Sequence, residues 1–193
     1  MKELPETWSF STKEDLRSLY DLIREGNPRH IINIEKEPKF GRSRIHLYLK
    51  PVGFPVNPRE VNVLRGAAYD ILKGLEWLHD RGFVHRDLRW ANVIMTRNGR
   101  VVIIDLEHSG KEGEVEYVLE SWPNLRGGRY VKEMDLILMA RMIHQYDALM
   151  TQDKDGGVCG RKFVAKLEMG VTQVVAALGD PWLSLERSYT PVC

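Results

Sequence analysis

Cysteine is nearly absent: Cys159 and Cys193 are the only two in 193 residues, far apart and one of them at the last position. That excludes a disulfide framework and a cysteine metal quartet, and it fits a reducing compartment. No apolar run approaches the ~20 residues needed to span a bilayer, and MKELPETWSF at the start lacks the apolar centre of a secretory signal. An excess of one charge is missing too. The 28 Lys and Arg face 27 Asp and Glu, intermixed rather than striped, so no global field attracts nucleic acid or an acidic membrane. Repeats and low-complexity tracts are absent. What remains, 43% hydrophobic and 28% charged residues, describes one globular unit of enzyme size, with room for two small lobes. The chain is expected to be soluble and intracellular, cytoplasmic or nuclear, with neither nucleic acid nor membrane as partner.

Along the chain, residues 11–26 open with a Ser/Thr cap and early acids, carry Leu16, Leu19, Tyr20 and Ile23 at helical spacing, and stop at Gly26-Asn27-Pro28. They predict an amphipathic helix. HIINIEKE and RIHLYLK, separated by PKFGRS, predict two antiparallel strands at 30–35 and 44–49. KPVGFPV reads as an extended connector. Asn57-Pro58-Arg59-Glu60 reads as a helix start, and Val63, Ala67, Ile71, Leu75 and Leu78 mark the buried face of a helix that Gly82 ends. Phe83-Val84 then forms a short buried strand. Residues 106–129, with four glycines and few apolar side chains, predict a mobile surface loop. Apolar residues surround the next helix, 132–143, which therefore lies inside the protein and makes Asp135 informative. It either takes buried donors or caps an exposed first turn. TQDKDGGVCG reads as a loop without the spacing of a calcium site, and one or two helices close the chain around Trp182 as a packing anchor.

Residues 84–110, VHRDLRWANVIMTRNGRVVIIDLEHSG, carry the chemistry. Val93–Met95 and Val101–Ile104 predict strands, and Asn98-Gly99 is a preferred pair for a two-residue type I′ turn. That register sets Met95 opposite Val102 and Asn92 opposite Asp105. Opposed residues have Cβ atoms roughly 5 Å apart, so an amide oxygen and a carboxylate converge as Mg²⁺ requires. Taken alone, the hairpin is equally readable as a surface hairpin with polar ends.

His85-Arg86-Asp87, four residues, Asn92, then an aspartate thirteen further on resembles the catalytic loop and metal-binding aspartate of protein kinases. Five residues at fixed spacing arise by chance in on the order of one in ten thousand chains of this length, at about one in twenty per position. GLEWLHDRGFVHRDL and KEMDLILMARMI resemble the helix entering that loop and the central buried helix. The resemblance, over roughly residues 30–150, implies an α+β, protein kinase-like fold. It would have a mostly helical lower lobe, residues 51–193, and a reduced upper lobe, residues 1–50, of one helix and two strands. It also implies ATP and Mg²⁺ as cofactors and transfer of the γ-phosphate to a protein Ser/Thr hydroxyl. Asp87 would handle the hydroxyl proton, Asn92 and Asp105 would hold metal and nucleotide, and Arg89 stands where serine/threonine-directed members usually carry lysine. His85 and Arg86 would be structural, and Asp135 would hold the loop backbone.

Departures from the family's pattern leave alternatives. Asp105-Leu106-Glu107 replaces Asp-Phe-Gly, so Glu107 either adds a ligand or repels phosphate. Neither a G-x-G-x-x-G nor a strand lysine is read, with about ten residues ahead of the first helix. The readings are a divergent protein kinase, a pseudokinase acting as an interaction or regulatory module, and a small-molecule phosphotransferase. The last usually has Gly where Arg86 stands. A protein substrate or partner is expected. So is self-association through an exposed edge of the upper-lobe sheet, left open by missing neighbours.

Overall fold

A computed structural model describes residues 2–5, 13–40, 44–113, 129–152, 157–170 and 173–184. It mixes helix and strand, with an upper layer of sheet and helix on a largely helical body. The first helix, α1 (Lys13–Gly26), buries Leu16, Leu19, Tyr20 and Ile23 as the sequence spacing requires. It ends where Asn27 turns left-handed at φ 43°, a terminal conformation that asparagine tolerates better than other side chains.

The sheet beside α1 has three strands rather than the two expected. β1 (Lys2–Pro5), β2 (Asn33–Phe40) and β3 (Arg44–Lys50) lie in the order β1-β3-β2, all antiparallel. β3 is therefore central, with Lys2 opposite Leu47 and Asn33 opposite Lys50. The edges of this sheet therefore fall to β1 and β2. β1 gave no local signal because its four residues include Pro5, and a proline is tolerated only at a strand edge, where a long-range partner decides the pairing.

β4 (Phe54–Pro55) is the short strand of the connector and pairs with β6 (Val93–Met95), which pairs with β7 (Val101–Ile103). α2 (Val61–His79) starts one turn later than predicted. Val56 and Pro58 are buried in extended backbone, and that packing overrides the local helix-start signal. The upper layer is joined to the hairpin by a parallel bridge: Ile32 N–H donates to Ile103 O at 2.7 Å and Ile103 N–H to His30 O at 2.9 Å.

β5 (Phe83–Val84) pairs with β8 (Gly110–Lys111). Residues 106–108 are a buried 3₁₀ turn rather than open loop, and 114–128 of the predicted mobile loop lie outside the described residues. α3 (Lys132–His144) is buried on nearly every face, as expected. α4 (Asp147–Gln152), α5 (Gly157–Glu168), α6 (Val174–Leu178) and α7 (Pro181–Ser184) complete the body. Helix thus occupies much of the stretch 151–160 that was read as loop. Gly160 belongs there because a Cβ at that position would lie 2.9 Å from Trp182 Nε1, and Trp182, fully buried on the Phe163 ring, anchors the closing helices. Among the described residues no helix is long and apolar enough to cross a membrane.

Gly74 lets α2 pass close beneath the bridge between layers. A Cβ there would meet Ile103 Cδ1 at 2.7 Å and the His30 carbonyl oxygen at 2.8 Å. Alanine gains about 1 kcal/mol of helix propensity over glycine, whereas overpacking against fixed backbone costs about 1–3 kcal/mol. Gly74→Ala is expected to lower the urea unfolding midpoint; an unchanged or raised midpoint would show that the bridge yields freely.

Candidate active site

The site is built on one buried carboxylate. Asp135 on α3 has 0% exposure and accepts from the backbone N–H of His85 (2.8 Å) and of Arg86 (3.0 Å), from Tyr130 Oη (2.8 Å) and from His79 Nε2 (2.9 Å). A desolvated carboxylate needs such donors, and they decide between the two readings of Asp135: α3 begins after Val131 without a side-chain cap. Burial pushes the Asp135 carboxyl up, yet the hydrogen bond and charge of His79, helped by the hydrogen bond from the His85 backbone, outweigh it and hold the group below its ordinary value.

This clamp fixes the loop that leaves β5. Arg86 is held at φ 69°, a conformation uncommon for a non-glycine residue. His85 is fully buried, and its Nε2 donates to the Ile104 carbonyl at 3.1 Å while its Nδ1 accepts the Asp87 N–H at 3.3 Å. Those two bonds together require the neutral imidazole protonated on Nε2. The Arg86 guanidinium, also buried, donates to Lys111 O at 2.8 Å. Gly110 leaves room for it, since a Cβ there would stand 2.4 Å from Arg86 Nη1.

Asp87, Arg89 and Asn92 are brought together. Asn92 donates its amide to Asp87 O at 2.8 Å and to Asp87 Oδ2 at 2.7 Å, and Arg89 Nε reaches the same Oδ2 at 3.2 Å. Asn92 is buried, while the Arg89 side chain is 61% exposed. With the Asn92 amide nitrogen committed to Asp87, Oδ1 is the atom left to face a cation.

The hairpin register differs from the predicted one. Gly99 N–H donates to Thr96 O and Thr96 N–H to Arg100 O, both at 2.9 Å, and Gly99 takes φ 80°. The turn is therefore a three-residue loop centred on Arg97-Asn98 with Gly99 left-handed, not a two-residue turn centred on Asn98-Gly99. Ile94 faces Val102 and Met95 faces Val101. In consequence Asn92 meets Ile104, whose N–H donates to Asn92 O at 2.9 Å, and Asp105 follows one residue later. A one-residue slip moves a side chain to the other face of a strand, but Asp105 leaves the strand at φ 63° and so turns away from that alternation.

Sequence reasoning missed several residues around this centre. His79 and Tyr130 complete the Asp135 clamp; His79 carries no local signal because its partner lies 56 residues away, and Tyr130, five residues before Asp135, falls outside the helix periodicity that marked the acid. Tyr20 was read only as core. Its buried hydroxyl is pushed well above the ordinary value by desolvation, then by the charges of Glu107 and Asp105, so α1 faces the turn that carries both acids. Lys111 Nζ, 3.7 Å from Asp15 Oδ1, ties β8 to the same helix.

A family model described as the protein kinase domain matches residues 52–118, which include Asp87, Asn92 and Asp105. The chain is 27% identical over 109 residues to MAP3K epsilon protein kinase 2 of Arabidopsis thaliana, 56% of this chain and 7% of that protein. It is 51% identical over 35 residues to mitogen-activated protein kinase kinase kinase 1 of the same plant, 18% of this chain and 6% of that one. With rhodopsin kinase GRK1 of Rattus norvegicus it shares 33% identity over 100 residues, 51% of this chain and 14% of the relative.

The chain resembles protein kinases over residues 52–118, the stretch that holds Asp87, Asn92 and Asp105.

It spans a small part of the length of each of these relatives. In this protein kinase-like chain the clamp on Asp135 orders the loop, and its pH dependence has a definite sign. A carboxyl held below its unfolded value, near 3.9, contributes stability above that value and loses it as pH falls through the folded one. Asp135→Ala is expected to cost about 3–5 kcal/mol at neutral pH, as when one partner of a buried pair is removed. The gap between wild type and Asp135→Asn, measured by urea unfolding, should narrow below about pH 4; a gap independent of pH would contradict the clamp.

Proposed function

We propose that the chain transfers the γ-phosphate of ATP to a protein Ser or Thr hydroxyl. The observation that carries this reading is the Asp87 carboxylate held by the Asn92 amide at 2.7 Å, with Asp105 one residue past the Asn92–Ile104 backbone bond. One carboxylate is thereby fixed as a base, and hard oxygens stand beside it. Asn92 Oδ1 and the Asp105 carboxylate fit Mg²⁺, which takes few protein oxygens and completes its shell with phosphate and water. Bound ATP–Mg²⁺ supplies the phosphoryl group and the divalent charge that offsets its phosphates.

Asp87 orients the acceptor hydroxyl and takes its proton. Arg89, exposed at the mouth and bonded to the same carboxylate, meets the negative charge of the group in transfer. Residues 1–50 act as a reduced upper lobe over the body formed by 51–193. Arg86 supports a protein acceptor over a small molecule, because its buried guanidinium occupies a position where small-molecule phosphotransferases of related type usually carry glycine.

Two variants separate the roles. Asp87→Asn is expected to lower phosphoryl transfer by about 10²–10⁴-fold, the usual contribution of a positioned base, with Mg²⁺–nucleotide affinity changed little. Asp105→Asn should weaken nucleotide binding itself in Mg²⁺. Radiolabelled transfer and calorimetric titration read the two effects. Equal residual transfer in wild type and Asp87→Asn would overturn the reading and favour a non-catalytic interaction module.

A further inference from the structure

A cavity of about 300 Å³ opens at the joint between the upper layer and the hairpin, away from Asp87. Its wall includes Arg29 from the segment after α1, Lys50 from the end of β3 and Arg100 from the start of β7, with Asn27 and Asn33 as amides and Ile31 as an apolar floor. No carboxylate belongs to that lining. Arg29 and Lys50 are exposed, whereas Arg100 is half-buried and its Nε, screened from solvent, has no acceptor among the described residues. A buried donor without an acceptor costs about 1–3 kcal/mol, more when charged.

The nearest acid is already committed. Asp70 accepts the Val101 N–H at 2.8 Å and sits 3.5 Å from His30 Nδ1. Burial holds His30 below its ordinary value, Asp70 opposes this, and the charges of Arg100 and Arg29 add to the lowering; both guanidiniums thus act on one spot. The walls are preorganised. The bonds between 30–32 and Ile103 fix one side, Asn33 Oδ1 accepts the Ile34 N–H at 2.7 Å, and Thr96 pins the Arg100 carbonyl through its N–H and its hydroxyl.

We propose that this cavity binds a phosphoryl dianion, with the half-buried Arg100 as the inner guanidinium and Arg29 and Lys50 as the charges at its mouth. Guanidinium matches phosphate oxygens in bidentate fashion, and three cations at one small cavity repel one another until an anion joins them. The volume lies at the lower end of ligand sites, which suits a single phosphate group. Its source is either a small soluble phosphate or a phosphorylated side chain of a protein. The inference does not depend on phosphoryl transfer at Asp87.

The test is a ¹H–¹⁵N titration of the full chain that follows the arginine Nε–H signals at constant ionic strength, with chloride as reference. One arm uses inorganic phosphate and pyrophosphate, the other a short peptide bearing one phosphoserine. A saturable shift of the Arg100 signal is expected, and the arm with the tighter binding identifies the source. Arg100→Gln should weaken binding at least tenfold and Lys50→Gln, on an exposed side chain, about threefold, while Arg161→Gln on α5 should change nothing. The wild-type spectrum decides even if Arg100→Gln fails to fold. An unmoved Arg100 signal, a shift of Arg89 alone, or equal shifts with chloride would overturn the proposal.

Discussion

Asp135 is the constraint on which the rest of this structure hangs. Removing a carboxylate from water carries an effective penalty of several kcal/mol unless donors surround it, and here the donors come from four places: the end of α2, two backbone groups after β5, and Tyr130. Satisfying one buried charge therefore fixes the relative position of α2, α3 and the loop that leaves β5. The loop cannot relax into an ordinary conformation without stripping Asp135 of two N–H groups, which explains why Arg86 stays at φ 69°.

From that clamp a chain of hydrogen bonds runs to the hairpin and back. His85 donates to the Ile104 carbonyl, Ile104 donates to the Asn92 carbonyl, and Asn92 donates to Asp87. Asp87 closes the circuit by donating its N–H to His85. Each member holds the next, so Asp87 is positioned from both directions, and Asp105 begins at a backbone point that the circuit has already located. Such networks rigidify when every member is satisfied. For the base proposed at Asp87 this rigidity matters, because misplacement by an ångström costs a large factor in rate.

Much of this was legible in the sequence, and the exceptions share a cause. The buried faces of α1, α2 and α3 and the strands around Asn98-Gly99 follow from local periodicity, and the grouping of Asp87 with Asn92 from the resemblance to the kinase catalytic loop. The register of the hairpin did not, because Asn-Gly serves equally well as the centre of a two-residue turn and as the last two residues of a three-residue loop. Only the pairing of Met95 with Val101 distinguishes them. β1 was invisible for a related reason: four residues ending in proline have no preference of their own, and β3 supplies it. The late start of α2 shows burial of Val56 and Pro58 overriding a good local cap. His79 was missed because the buried acid that gives it its role lies 56 residues away, and Tyr130 because it precedes the helix whose periodicity pointed to Asp135.

Two joints hold the upper layer to the body, and their strengths differ. At the back, residues 30–32 join β7 by backbone bonds while α2 passes beneath at Gly74. At the front, α1 leans on the turn after Asp105 through Tyr20 and through the Lys111–Asp15 pair. That pair is long, at 3.7 Å, and its lysine is 56% exposed, so solvent screening leaves it worth at most about 1 kcal/mol. Tyr20 is 1% exposed, and burying a large side chain contributes roughly 1.5–3 kcal/mol. Apolar burial, not the ion pair, therefore sets where α1 stands. The Tyr20 hydroxyl enters that burial within the field of Glu107 and Asp105, so the side chain that places α1 also senses the turn after Asp105. A helix displaced at this front joint would carry Tyr20 away from both acids, while the back joint at Ile103, made of backbone hydrogen bonds, would stay in place.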